Sequence, residues 1–376
     1  MPRLLKGMAW DHPRGYDPMV ATARAYEDSN PDIEISWDKR SLQAFADHPI
    51  EQLAEEYDLI VIDHPHVGLV ARQGYLVALD EHAPDGALEA LAEQSLGGSH
   101  ESYQYDGHQW ALAIDAAAQV AAYRPDLLSE VPTSWSEVVD LAAAGKVLWP
   151  LKPVDALMGF FTLAANRGTP CAESPERLID PADGRTVLEA MRALSEHVPR
   201  ECLSMNPIET LDRMSTDDNY AYCPLLYGYS NYARDGFREH LIGFTNIPAL
   251  GNDGPRGSTL GGAGIAVSAR SSHVEVAADY AFWVASADCQ KSIYFESGGQ
   301  PGNAAAWTDD GVNAVSHSYF RNTYETLQRA WLRPRHDAYL EFQDKGGNYV
   351  NDFLAGRADV EETLNRLEEA YAGSLP

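Results

Sequence analysis

The sequence predicts an α/β protein built on a mixed, mostly parallel sheet flanked by helices. Three observations carry that expectation. The first hundred residues alternate strand-like and helix-like segments, the pattern of consecutive β–α–β units. Asp58-Leu59-Ile60-Val61-Ile62 holds a continuous apolar run, which belongs to a strand buried on both faces. The chain has 376 residues, 45% hydrophobic and 22% charged, a globular composition long enough for about two domains.

Each element follows from local pattern. Leu4 to Trp10 is a first strand, ended by the loop Asp11-His12-Pro13-Arg14-Gly15. Asp17-Pro18 opens a helix in which Met19, Val20, Ala23 and Tyr26 share one face. Asn30-Pro31-Asp32 breaks it, and Ile33 to Trp37 alternates as a second strand. Pro49 to Glu56 is a helix ahead of the Asp58–Ile62 strand. Gly107-His108-Gln109-Trp110 turns the chain into the apolar stretch Ala111–Tyr123, interrupted by Asp115 and Gln119. Pro132-Thr133-Ser134-Trp135-Ser136-Glu137 is a helix start, with Ser134 or Thr133 as cap and Glu137 in the first turn. Lys146–Trp149 is expected as a strand, Pro153 onward as a helix, and Cys223–Tyr227 as another strand. Gly261–Val267 leads into a strand, and Val274–Tyr294 is expected as one long helix. The C-terminal third is helical, with breaks at Pro334 and Gly346-Gly347.

Charge narrows the partners. With 28 Lys plus Arg against 56 Asp plus Glu, the net charge is −28. Nucleic acid and anionic membrane surfaces are excluded, because both are gripped by clustered basic residues. No apolar run reaches the ~18–20 residues that membrane insertion requires. Cys171, Cys202, Cys223 and Cys289 are scattered without metal spacing and read as buried thiols, a Cys202–Cys223 disulfide being the alternative. No apolar leader precedes the first strand. With Met1 as the natural start the chain is expected in the cytoplasm; with a leader removed, in the periplasm or outside the cell.

The order of motifs resembles the family 1 extracellular solute-binding proteins, the receptors of ABC importers. The residues that carry this are Tyr57–Ile62, Gly74–Asp80, Trp110–Asp115, Tyr123–Leu128, Pro132–Glu137, Gly261–Val267, the helix with Ala278, Phe282 and Trp283, and Gly298-Gly299-Gln300-Pro301. The resemblance runs from about Leu4 to the C-terminus and implies a two-lobed type II periplasmic-binding fold with a hinge. It places residues 1–112 plus 248–304 in one lobe and 113–247 plus 305–376 in the other. It also implies a small-molecule ligand, an ABC transporter permease as partner if the chain is exported, and a monomer.

In parallel sheets, ligands sit beyond the carboxyl ends of the strands. Those loops carry Trp10, Asp11, His12, Arg14 and Tyr16, then Lys39, Arg40 and Ser41, then Asp63, His64 and His66. Arg14 and Arg40 suit a bidentate carboxylate and Lys39 a point charge, so they form a candidate anion clamp. Asp11, His12, Asp63, His64 and His66 are candidates for hydrogen bonding or acid–base work, with a metal cluster of Asp11, His12, His64 and His66 as a further reading. Asp115 sits where the chain crosses between lobes. From the second lobe come Trp149, Tyr227 and Tyr229, with Asn231 and Tyr232 beside them. Gly261 and Gly262 permit close backbone approach, Gln300 and Asn303 are amides for the cleft, and Arg333-Pro334-Arg335-His336 adds cations.

The sequence has no G-x-S-x-G elbow, no H-E-x-x-H and no Walker loop, and no cofactor is expected. The leading reading is capture of a small polar solute, sugar-like or carboxylate-bearing, in a cleft that closes by a hinge. An isomerase, lyase or hydrolase using His12, His64, His66 or Asp63 as acid–base groups is the alternative reading, and an intracellular ligand sensor the third.

Overall fold

The computed structural model describes residues 2–41 and 49–376. The first half of the chain forms β1 (Arg3–Trp10), α1 (Tyr16–Ser29), β2 (Ile33–Arg40), α2 (Ile50–Glu56), β3 (Leu59–Ile62), α3 (Val67–Gln73), α4 (Ala87–Glu93), β4 (Gln104–Tyr105), β5 (His108–Gln109) and β6 (Leu112–Tyr123). Then come α5 (Trp135–Ala143), α6 (Pro153–Arg167), α7 (Pro181–Ser195), α8 (Pro207–Met214), β7 (Tyr222–Tyr227), β8 (Gly243–Thr245) and β9 (Leu260–Val267). The main C-terminal helices are α9 (Val274–Ala285), α10 (Tyr319–Gln328), α11 (Tyr339–Leu354) and α12 (Val360–Ser374). Met1, on which the cytoplasmic expectation turned, lies outside the described residues.

The chain divides into two units, each assembled from separated stretches. Unit 1 comprises Met1–Ala116, Gly261–Val312 and Arg335–Asp337; unit 2 comprises Ala117–Leu260, Asn313–Pro334 and Ala338–Pro376. The sequence placed the divisions at 112/113, 247/248 and 304/305. No loop marks the first one, because β6 runs unbroken through it. The Leu250–Arg256 loop stays with unit 2 because Asn166 of α6 holds it: Nδ2 donates to Gly254 O and Arg256 O, and Oδ1 accepts from Leu250 N and Gly251 N.

In unit 1, β1 pairs in parallel with β2 from Arg3↔Ile33 to Trp10↔Arg40, and with β3 at Gly7↔Leu59 and Met8↔Ile60. β3 pairs antiparallel with β9, from Leu59↔Val267 to Ile62↔Gly264. All four residues of β3 are buried, as its unbroken apolar run requires. Gly7 is needed where it stands, since a Cβ there would lie 2.5 Å from the Trp37 ring. Lys39 and Arg40, expected in a loop, extend β2 because its pairing continues to the end of β1.

In unit 2, β6 pairs antiparallel with β7 and with β8. The helix start at Ser134 is a capping box: Ser134 Oγ accepts from Glu137 N, and Glu137 reaches back to the Ser134 N–H. Two expectations are corrected. Lys146–Trp149 makes one bridge, Val147↔Tyr222, and then turns so that Leu151 N donates to Cys202 O, so no strand extends there. In unit 1, the helix from Val274 ends at Ala285, because Ser286 takes an extended conformation and its Oγ caps a new turn at Cys289 N. Gln290–Tyr294 then winds as a π turn. All four cysteines are buried free thiols, so Cys202 and Cys223 form no disulfide.

Candidate functional site

The unit 1 face starts at the end of β1. His12 organises the turn: its carbonyl accepts from Gly15 N and Tyr16 N, and its Nδ1 accepts from Arg14 N at 3.0 Å. That bond makes Nδ1 the acceptor and leaves the neutral ring's proton on Nε2. Gly15 lets Trp10 fold across the turn, since a Cβ would sit 2.3 Å from the indole. Trp10 and His12 are consequently buried.

Arg14 reaches across to β6. Its Nε donates to Asp115 Oδ2 at 2.7 Å and its Nη2 to Asp115 Oδ1 at 2.5 Å, with side-chain exposures of 5% and 1% for the two residues. Burial pushes the Asp115 carboxyl up, and the guanidinium opposes that shift. Gly262, at φ +102°, brings β9 close behind the pair; a Cβ there would lie 2.3 Å from Asp115 O. Gln300 pins β6 one residue beyond Asp115, donating from Nε2 to Ala116 O at 2.8 Å. Gly261 precedes that approach, half-buried, in β9.

Beyond β3, Asp63-His64-Pro65-His66 closes a single helical turn in which His66 N donates to Asp63 O. His64 is fully buried, its ring edge-on to Tyr103 at 6.2 Å. Tyr103 donates from its hydroxyl to Ile62 O, and Gly264 makes room for its ring. Tyr103 escaped the sequence reading because it lies on a short irregular turn without pattern.

The cations expected to form an anion clamp have carboxylates of the chain beside them. Lys39 pairs with Asp11 at 2.7 Å above the Tyr16 ring, and Arg40 pairs with Glu56 at 2.9 Å. Tyr16 donates to Trp37 O, toward β2. Adjacent acidic side chains of the chain itself thus lie within reach of both cations, and Ser41 is exposed at the strand end. The metal reading is corrected: among the described residues no three His, Cys, Asp or Glu side chains are grouped to hold an ion, and Asp11 is turned to Lys39.

In unit 2, Trp149 is fully buried, edge-on to Trp135 at 5.6 Å and packed on Gly159 of α6. It packs among the core side chains of unit 2. Tyr227, half-buried, ends β7, and Gly228 follows where a Cβ would meet the Tyr319 hydroxyl at 2.4 Å. Tyr229 is buried, and Tyr232 is tied to α8 by its hydroxyl on Asp212 at 2.7 Å. Arg333 donates to Gln343 Oε1 and lies beside buried Tyr339, which the sequence reading missed. Burial pushes Arg234, on the loop after β7, down to about 10.

Two α/β units made of interleaved chain segments, with aromatic, imidazole and amide side chains at their strand ends, define a type II periplasmic-binding fold. The match to solved structures agrees. Maltose-bound T. maritima MalE3 superposes with a TM-score of 0.84 over 99% of this chain and 100% of that one, at 17% identity. A solute-binding protein of Agrobacterium radiobacter K84, in complex with ribitol, gives 0.77 over 100% and 99% at 21% identity. A maltotriose-binding protein of Pyrococcus abyssi is 26% identical over 119 residues, which is 32% of this chain and only 25% of that protein. Residues 21–317 match the bacterial extracellular solute-binding proteins, and the chain belongs to that family. Solute-binding proteins of this family take small polar molecules and pair with ABC permeases. No helix among the described residues is long and apolar enough to cross a membrane.

Proposed function

We propose that the chain is the receptor of an ABC importer for a neutral, polyhydroxylated solute, and that it works outside the cytoplasmic membrane as a single chain. Trp10, His12, His64, His66 and Gln300 of unit 1, and Tyr227, Tyr229 and Asn231 of unit 2, are the residues of each unit assigned to solute recognition. One observation supports neutrality above all: Arg14, Lys39 and Arg40 each have a carboxylate of the chain itself within hydrogen-bond reach. A ligand carboxylate would have to displace one of these, and displacing Asp115 would strand a buried charge at a cost of about 3–5 kcal/mol. Hydroxyl groups need only the donors and acceptors that imidazole, indole, amide and phenol supply. The maltose, maltotriose and ribitol named for similar proteins belong to the same chemical class.

A thermal-shift panel of neutral sugars and polyols against sugar acids and small carboxylates tests this. A ligand at a hundred times its Kd stabilises by about 2.7 kcal/mol, which raises the Tm of a chain this long by roughly 3 °C. Stabilisation by sugars or polyols alone is expected. Stabilisation confined to the acids would overturn the proposal.

A further inference from the structure

Three residues late in the chain, Arg335–Asp337, belong to unit 1, while the chain before and after them belongs to unit 2. The contacts that hold this strap converge on one turn of the unit 1 face. Arg335 Nη1 donates to Glu101 O, Ser102 O and Gln104 O at 2.8, 2.9 and 2.8 Å, the carbonyls on either side of Tyr103. Tyr103 in turn is edge-on to His64 and donates from its hydroxyl to Ile62 O, at the end of β3. The aromatic wall of the Asp63–His66 turn is thus fixed by a cation 231 to 234 residues further along the chain.

A second contact reaches the same turn independently. Gly68, two residues after His66 and in the first turn of α3, lies against the backbone of the strap. A Cβ there would collide with Arg335 O and with the His336–Asp337 peptide. Alanine is the better helix former, so the strap, not the helix, accounts for glycine at this position. Further along α3, Arg72 pairs with Asp337 at 2.6 Å. His66 closes the turn that these contacts frame and is 9% exposed.

We propose that Arg335 is a positioning residue of the solute site: by holding Tyr103 and α3 it fixes the Asp63–His66 turn in the arrangement that receives the solute. This rests on the assignment of His64 and His66 to solute recognition. The three carbonyls converge on one nitrogen, a demand that the three N–H groups of a lysine ammonium also meet.

Nitrogen-15 NMR of the histidine rings in the full chain reads the turn without any ligand, the two signals being assigned with His64→Gln and His66→Gln. Arg335→Met should move both signals, and Arg335→Lys should keep them near their wild-type positions. Arg72→Met removes a pair whose arginine side chain is 69% exposed and should leave them in place. A turn that holds its receptive arrangement a tenth of the time binds about tenfold more weakly. Titration with maltose and with ribitol should show about that loss in Arg335→Met and little in the other two variants. Unchanged ring signals in Arg335→Met, or the same movement in Arg72→Met, would overturn the proposal. Moved signals with an unchanged Kd would overturn it too, since the turn would then position nothing for the solute. Stabilisation of the wild type by sugar acids alone would instead overturn the solute reading, and the ring signals would still decide whether Arg335 fixes the turn.

Discussion

Replacing Asp115 by Asn isolates the buried pair that anchors the β1 turn to β6. The substitution keeps the shape of the carboxylate but removes its charge, leaving the Arg14 guanidinium at 4% residue exposure against a neutral amide. Removing one partner of such a pair costs about 3–5 kcal/mol. Unfolding entropy for a chain of this length is about 0.8 kcal/mol/K, so a 4 kcal/mol loss lowers Tm by about 5 °C. Lys39→Met is the internal reference: the Lys39–Asp11 pair has side-chain exposures of 47% and 53%, and pairs this exposed are worth about 0–1 kcal/mol. Urea unfolding of the wild type, Asp115→Asn, Arg14→Met and the double variant completes a cycle. The double variant should lose about 2–3 kcal/mol less than the sum of the single ones, because it no longer strands a charge. An Asp115→Asn loss no larger than that of Lys39→Met, or strict additivity in the cycle, would refute the assignment of the pair as a buried structural anchor.

Two further predictions rest on other positions. Asp155, in the first turn of α6, is 4% exposed, and burial pushes its carboxyl up to about 8. The folded state then holds a proton that the unfolded state releases near the ordinary carboxylate value, so stability falls as pH rises from about 4 to 8. Asp155→Asn should therefore stabilise the protein at neutral pH by about 2–4 kcal/mol, with the gain vanishing near pH 4. A urea midpoint difference that stays constant across that range would contradict the shifted carboxyl. Gly262→Ala places a Cβ against Asp115 O at a backbone conformation suited to glycine. It should destabilise unit 1 by about 2 kcal/mol or more, and unchanged chemical unfolding would show that β9 can retreat at no cost.

Local pattern made much of unit 1 legible. The unbroken apolar run of β3 and the alternation in Ile33–Trp37 pointed to a parallel sheet, and β1 to β3 pair that way. Ser134 and Glu137 announced a capping box that the structure contains, since both partners lie within one turn. Long-range pairing was illegible. Arg14 lies 101 residues from Asp115, and nothing near Arg14 shows that its guanidinium already has a carboxylate. The same applies to Arg335, whose basic neighbours suggested a ligand contact while its Nη1 binds carbonyls 231 to 234 residues away. Trp149 looked like an aromatic at a strand end because its packing partner, Trp135, belongs to another element. Ser286 broke the Val274–Tyr294 helix although the surrounding residues continue the helical period.

The antiparallel pairing of β3 with β9 also governs how the molecule comes into being. Leu59 meets Val267 and Ile62 meets Gly264, so a strand made early stays without this neighbour until most of the chain has been synthesised. Closing so long a loop is entropically slow and gives the topology a high contact order. Meanwhile β3 exposes an apolar edge able to pair with another chain. Synthesis of β9, rather than the emergence of the first hundred residues, thus sets when this sheet can be completed, and until then the nascent protein stays unfinished and open to capture.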